Sequence, residues 1–148
     1  MTMFETPPHR AGPYPISTSL WLVHAAYRTF QAFPIACFSL TVLTDIAYWQ
    51  TSNLLWLHFS EWLLLAGLVF GAFAAVARIV GYAMTSMAPS WLRLLGCAVA
   101  YLLAILNSFI HTADGWTAVV PTGLAVSIAT VIVMAAAGWV GRKEVFHV

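Results

Sequence analysis

Polar side chains are scarce in this sequence, where charged residues make up only 7% of 148. The ones that interrupt its apolar runs are therefore the first candidates for chemistry. Asp45, His58, Glu61, Asn107, His111 and Asp114 form such a set, with Tyr48 and Trp116 beside them. His58 and His111 could supply the two axial ligands of a b-type haem iron, because a helix-bundle core is a common place for that cofactor. Together with Glu61 and Asp45 they could equally offer nitrogen and oxygen to a transition metal. A third option is a quinone head group, hydrogen-bonded by His111 or Asp45 and walled by Tyr48 and the tryptophans. A plainer alternative needs no ligand: Asp114 caps a helix, Asn107 and Thr41 tie helices together, and the histidines sit wet at an interface. Spacing alone leaves these open.

The elements that must position these groups follow from composition. The chain is 61% hydrophobic and 14% aromatic, with a mean hydropathy of +0.86, too apolar for a soluble domain of this size. A bilayer core of about 30 Å takes about 20 helical residues per crossing, which leaves room for four. Its apolar runs are continuous rather than alternating, so helices are expected and not a barrel. The expected fold is all-α, an integral membrane four-helix bundle running up-down-up-down, with crossings at about 31–50, 55–80, 91–112 and 117–140. Residues 1–16, with Pro7, Pro8, Pro13 and Pro15, read as an extended arm before a single domain over 17–148. The mixed stretch Leu20 to Phe33 reads as an interfacial helix along the membrane surface. Pro34 then falls in the first turn of the first crossing, where a missing N–H costs least.

Charge sets the orientation. Arg10, Arg28, Arg78, Arg93, Arg142 and Lys143 account for all six basic residues, and they fall at the end shared by both termini and the link between the second and third crossings. The positive-inside rule then makes both termini cytoplasmic. Tryptophans form two belts, Trp21, Trp91 and Trp139 at the basic end and Trp49, Trp56, Trp62 and Trp116 at the other. On this topology Asp45, His58, Glu61, His111 and Asp114 gather at the non-basic end. An ionisable group within the membrane is a functional hypothesis by default.

Small residues predict the packing. Gly67, Gly71 and Ala75 form one ridge, and Gly96, Ala100, Ala104 and Ser108 another, which His111 extends towards the bundle interior. The same ridges could serve a homo-oligomer. Cys37 and Cys97 lie in apolar runs without a redox or metal spacing and read as core residues. The net charge of +1, with no basic cluster, gives no reason to expect nucleic acid. Neither a nucleophile elbow, a phosphate loop, a haem-attachment motif nor a zinc motif is present, so catalysis by this chain alone is not expected. The crossings also lack the broken helices and inverted repeat of a transporter.

Several stretches resemble a known family, the small bacterial inner-membrane proteins classed as domain of unknown function twenty-two thirty-one. They are Phe33-Pro34-Ile35-Ala36, Thr44-Asp45-Ile46-Ala47-Tyr48-Trp49, Phe59-Ser60-Glu61-Trp62-Leu63-Leu64 and, longest, Leu106 through Gly123 with its His111, Asp114, Trp116 and Pro121-Thr122-Gly123. Tyr27 stands where relatives carry a histidine, Arg78 to Gly81 replaces a Gly-Leu-Ile-Asp ending, and Ala113 replaces an arginine, so the resemblance is strongest at the non-basic end. It implies respiratory electron transfer, because similar domains are joined to Rieske or cytochrome modules or encoded beside periplasmic quinoprotein dehydrogenases. The expectation is a small inner-membrane subunit that anchors a periplasmic dehydrogenase or cytochrome and passes electrons towards quinone. Haem b or a bound quinone would be held by His58, His111, Asp45, Asn107, Tyr48 and Trp116. The alternative is a purely structural anchor or assembly factor without a cofactor.

Overall fold

The computed structural model describes residues 18–85, 90–112 and 119–145. Four helices long and apolar enough to cross a membrane account for nearly all of them: α1 Thr18–Thr51, α2 Leu54–Thr85, α3 Trp91–Thr112 and α4 Leu124–Val145, the last entered through a turn at Val119–Gly123. The expected all-α membrane bundle is what the chain forms. Large apolar side chains such as Trp62, Leu102, Phe109 and Ile132 point outward, as lipid-facing residues do.

Two boundaries differ from the sequence expectation. The first helix has no break near residue 31 but runs 34 residues with Pro34 inside it. Leu20 to Phe33 is therefore its first part, continuous with the crossing, and not a separate surface helix. Pro34 withholds only the N–H that would reach the Phe30 carbonyl, a loss membrane helices tolerate when neighbours pack around it. The proline itself is buried. The fourth crossing starts unevenly: Val120 is extended (φ −123°, ψ 124°), as the residue before Pro121 is pushed to be.

Only Ser52 and Asn53 separate α1 from α2. Ser52 closes α1 in the left-handed region (φ 52°), its N–H returning to the Tyr48 carbonyl at 2.8 Å, as at many helix C-termini. Asn53 opens α2 by accepting the Leu55 N–H on its side-chain oxygen at 3.0 Å. So tight a link makes α1 and α2 antiparallel neighbours. Packing then runs α1/α2, α2/α3, α3/α4 and α4/α1, while the diagonals scarcely touch through their backbones.

Each helix turns one narrow stripe inward: Cys37, Phe38, Thr41 and Asp45 on α1, Leu57, Ser60, Leu64 and Gly67 on α2, Ala100, Ala104, Asn107 and His111 on α3, Ser127, Thr130 and Ala137 on α4. Phe38, Leu64 and Ala104 make the apolar centre. The small ridges work partly as expected. Gly96 admits the backbone of α4, since a Cβ there would stand 2.8 Å from that of Ala137. Gly67 and Gly71 instead seat rings, those of Phe38 and Tyr101, and Ala75 is exposed. Cys97, expected in the core, is exposed, whereas Cys37 is buried.

Candidate functional site

One helical turn from the apolar centre, towards the non-basic end, the inward stripes become polar. Asp45 lies at the middle, fully buried. Its Oδ1 accepts from Ser60 Oγ at 2.6 Å and lies 2.9 Å from His111 Nε2. Ser127 Oγ donates to Oδ2 at 2.6 Å. Asn107 Nδ2 in turn donates to Ser127 Oγ at 2.7 Å. Every helix thus contributes: Asp45 from α1, Ser60 from α2, Asn107 and His111 from α3, Ser127 from α4. The Asp45–His111 contact crosses the diagonal that the backbones leave open.

Proton bookkeeping fixes the donors. His111 Nδ1 is 2.9 Å from the Asn107 carbonyl, which can only accept, so Nδ1 carries a hydrogen. Nε2 and the carboxylate would repel if neither were protonated, so one proton lies between them, on nitrogen or on oxygen. Either way the pair carries no net charge. Ser60 commits its single hydrogen to Asp45, which makes Thr44 the donor in the 2.7 Å contact between their hydroxyls. Ser127 is likewise committed to Asp45, which fixes the Asn107 amide with nitrogen towards it. That leaves Asn107 Oδ1 buried without a partner among the described residues.

Burying a carboxylate costs several kcal/mol unless its lone pairs are met. Here three hydrogen bonds reach it, which holds the network together in an apolar setting. Gly123 completes the enclosure, because a Cβ there would come within 3.1 Å of His111 Cε1. The bare backbone of the turn before α4 therefore lies against the imidazole.

The expected site residues separate into groups. Asp45, Asn107 and His111 come together as expected. His58 does not join them: its side chain is 62% exposed and pairs with Glu61 at 3.2 Å on the outer surface. The cause is helical phase. His58 precedes the buried Ser60 by two residues, about 200° around the helix, so it faces away from the interior. Tyr48 is half-buried a turn beyond Asp45. Trp116 and Asp114 fall outside the described residues. Thr41, expected to link helices, donates instead to the Cys37 carbonyl of its own helix at 2.9 Å. Ser60 and Ser127, to which the sequence reading gave no role, supply two of the three hydrogen bonds on Asp45. Their signal was position alone, on the stripes Leu57-Ser60-Leu64 and Gly123-Ser127-Thr130.

This donor set can be tested against the cofactors the sequence suggested. A haem iron shared by His58 and His111 does not fit, since both ring nitrogens of His111 are engaged and His58 points outward. No group of three or more His, Cys, Asp or Glu is placed to hold a metal among the described residues. A quinone carbonyl needs a hydrogen-bond donor, and the donors here are committed to Asp45, to Ser127 and to backbone. What the network does offer is one shared proton and one free acceptor, Asn107 Oδ1.

No curated protein and no solved structure matches this chain. Residues 29–148 match the family model described as "Predicted membrane protein (DUF2231)". With most of its length matched, four apolar helices in its fold and the motifs of that family in its sequence, this chain belongs to the membrane-protein family DUF2231.

Proposed function

We propose that this protein is an anchor domain of a bacterial inner membrane, holding a redox partner at its periplasmic end. The positive-inside rule supports that orientation, with both termini in the cytoplasm. The observation that carries the reading is the closure of the Asp45 network. Side chains from all four helices are spent on binding the bundle to itself, and His111 keeps no nitrogen for a ligand. Such a network suits a part whose work is to present a fixed end surface. The resemblance noted above suggests the partner, a periplasmic dehydrogenase or cytochrome whose electrons go to quinone. Fractionation tests it: deleting the chain from its host should move that partner's activity from membranes to the soluble fraction, and His58→Ala should restore membrane attachment as well as wild type. A partner that stays on membranes in the deletion strain would sink the reading.

A second reading, proton delivery to a quinone, takes the proton shared between Asp45 and His111 as its source and requires that His111 give up one of its present hydrogen bonds. It predicts that His111→Gln abolishes quinone reduction by the complex while the partner stays attached. Unchanged reduction excludes it. A dithionite-reduced minus air-oxidised spectrum of the purified protein adds a third discrimination. Haem bands lost in both His58→Ala and His111→Ala would overturn the anchor reading and require that the network open.

A further inference from the structure

At the basic end a second cluster has the opposite character. The Arg78 guanidinium carbon lies 4.8 Å from the ring centroid of Tyr27 and 4.8 Å from that of Tyr82, and its Nε donates to the Tyr82 hydroxyl at 2.9 Å. Arg93 Nη2 donates to the Tyr27 hydroxyl at 3.4 Å. Tyr27 from α1 is therefore bound to an arginine of α2 through its ring and to an arginine of α3 through its oxygen. Two like charges share one neutral residue, and the two carboxylates whose side chains are described, Asp45 and Glu61, both pair at the other end. Both tyrosine oxygens accept from arginine, which leaves their own hydroxyl hydrogens without an acceptor among the described residues. All four side chains are half-buried, fixed in place but reachable. Trp91, two residues before Arg93, is 78% exposed, as a residue of the headgroup layer would be.

Guanidinium N–H groups and phenolic O–H groups converging with no described carboxylate beside them suit an anion rich in oxygen acceptors. We propose that Tyr27, Arg78, Tyr82 and Arg93 form a phosphate-binding site occupied by the headgroup of an anionic phospholipid. The rings hold Arg78 in one orientation, so the site is built rather than two side chains reaching for the interface.

Native mass spectrometry of the full-length protein in detergent, titrated with phosphatidylglycerol, phosphatidylcholine or inorganic phosphate, tests the proposal. Phosphatidylglycerol should be retained several-fold over phosphatidylcholine. Arg93→Gln and Arg78→Gln should each weaken it about five-fold, while Arg28→Gln, on an exposed residue outside the cluster, should change it less than two-fold. If Arg78→Gln fails to fold, Tyr82→Phe, which keeps the ring and removes one donor, should still lower retention. Inorganic phosphate bound with the same arginine dependence, in place of phosphatidylglycerol, would keep the phosphate site and make the free anion its occupant. Equal retention of the two lipids without phosphate binding, or a loss in Arg28→Gln as large as in Arg93→Gln, would overturn it.

Discussion

The two ends of this bundle solve the same problem in contrary ways. At the non-basic end Asp45 is sealed from solvent and compensated wholly from within, by a serine from each of two helices and the imidazole of a third. At the basic end Arg78 and Arg93 are supported by tyrosines but not neutralised by any described side chain. A charge closed inside the membrane must find its partners in the protein. A charge at the edge can leave its compensation to the surroundings, and so can bind. The difference suggests that the polar groups most visible as a site are the structural ones, and that the recognition chemistry lies at the opposite end.

Mutations can break that contrast, beginning with the centre of the closed network. Asp45→Ala leaves His111, Ser60 and Ser127 without their shared acceptor and should cost about 3–5 kcal/mol, the usual effect of removing one member of a buried pair. Denaturation in mixed detergent micelles reads it, and a loss under about 1 kcal/mol would mean that the network is dispensable. Gly67→Ala should cost about 1–3 kcal/mol in the same assay by overpacking, because the new methyl meets the ring of Phe38, itself buried in the apolar centre. Gly123→Ala acts more gently, at about 1 kcal/mol, but should displace the imidazole that a Cβ would approach. The His111 ring resonances in nitrogen NMR would report it, and unchanged resonances would show that the turn yields instead. His58→Ala should change stability by less than about 0.5 kcal/mol, since an exposed i,i+3 pair contributes little. A large loss there would place His58 in the working part of the molecule after all.

How much of this was legible in the sequence depends on the residue. The four crossings were plain, because apolar length is nearly decisive in a membrane protein. Asp45, Asn107 and His111 were legible as a group because ionisable and amide groups in such runs turn inward. His58 misled because its type and its place near the non-basic end outweighed its helical phase. Counting two residues to Ser60 would have turned it outward. Ser60 and Ser127 went unremarked since serine is common among the small residues of helix interfaces, and nothing in its type says that it faces a carboxylate. The continuity of α1 through Pro34 was hidden by a rule that holds in water, where a helix-interior proline is expensive.

The single proton between Asp45 and His111 has a consequence for an energised membrane. A unit charge moved through the field feels about 2.3 kcal/mol per 100 mV. A pair that sums to zero, whichever partner holds the proton, feels only the small pull on its dipole. The Asp45–His111 pair therefore gives the membrane voltage no net charge to act on, in a cell that is respiring and in one that is not.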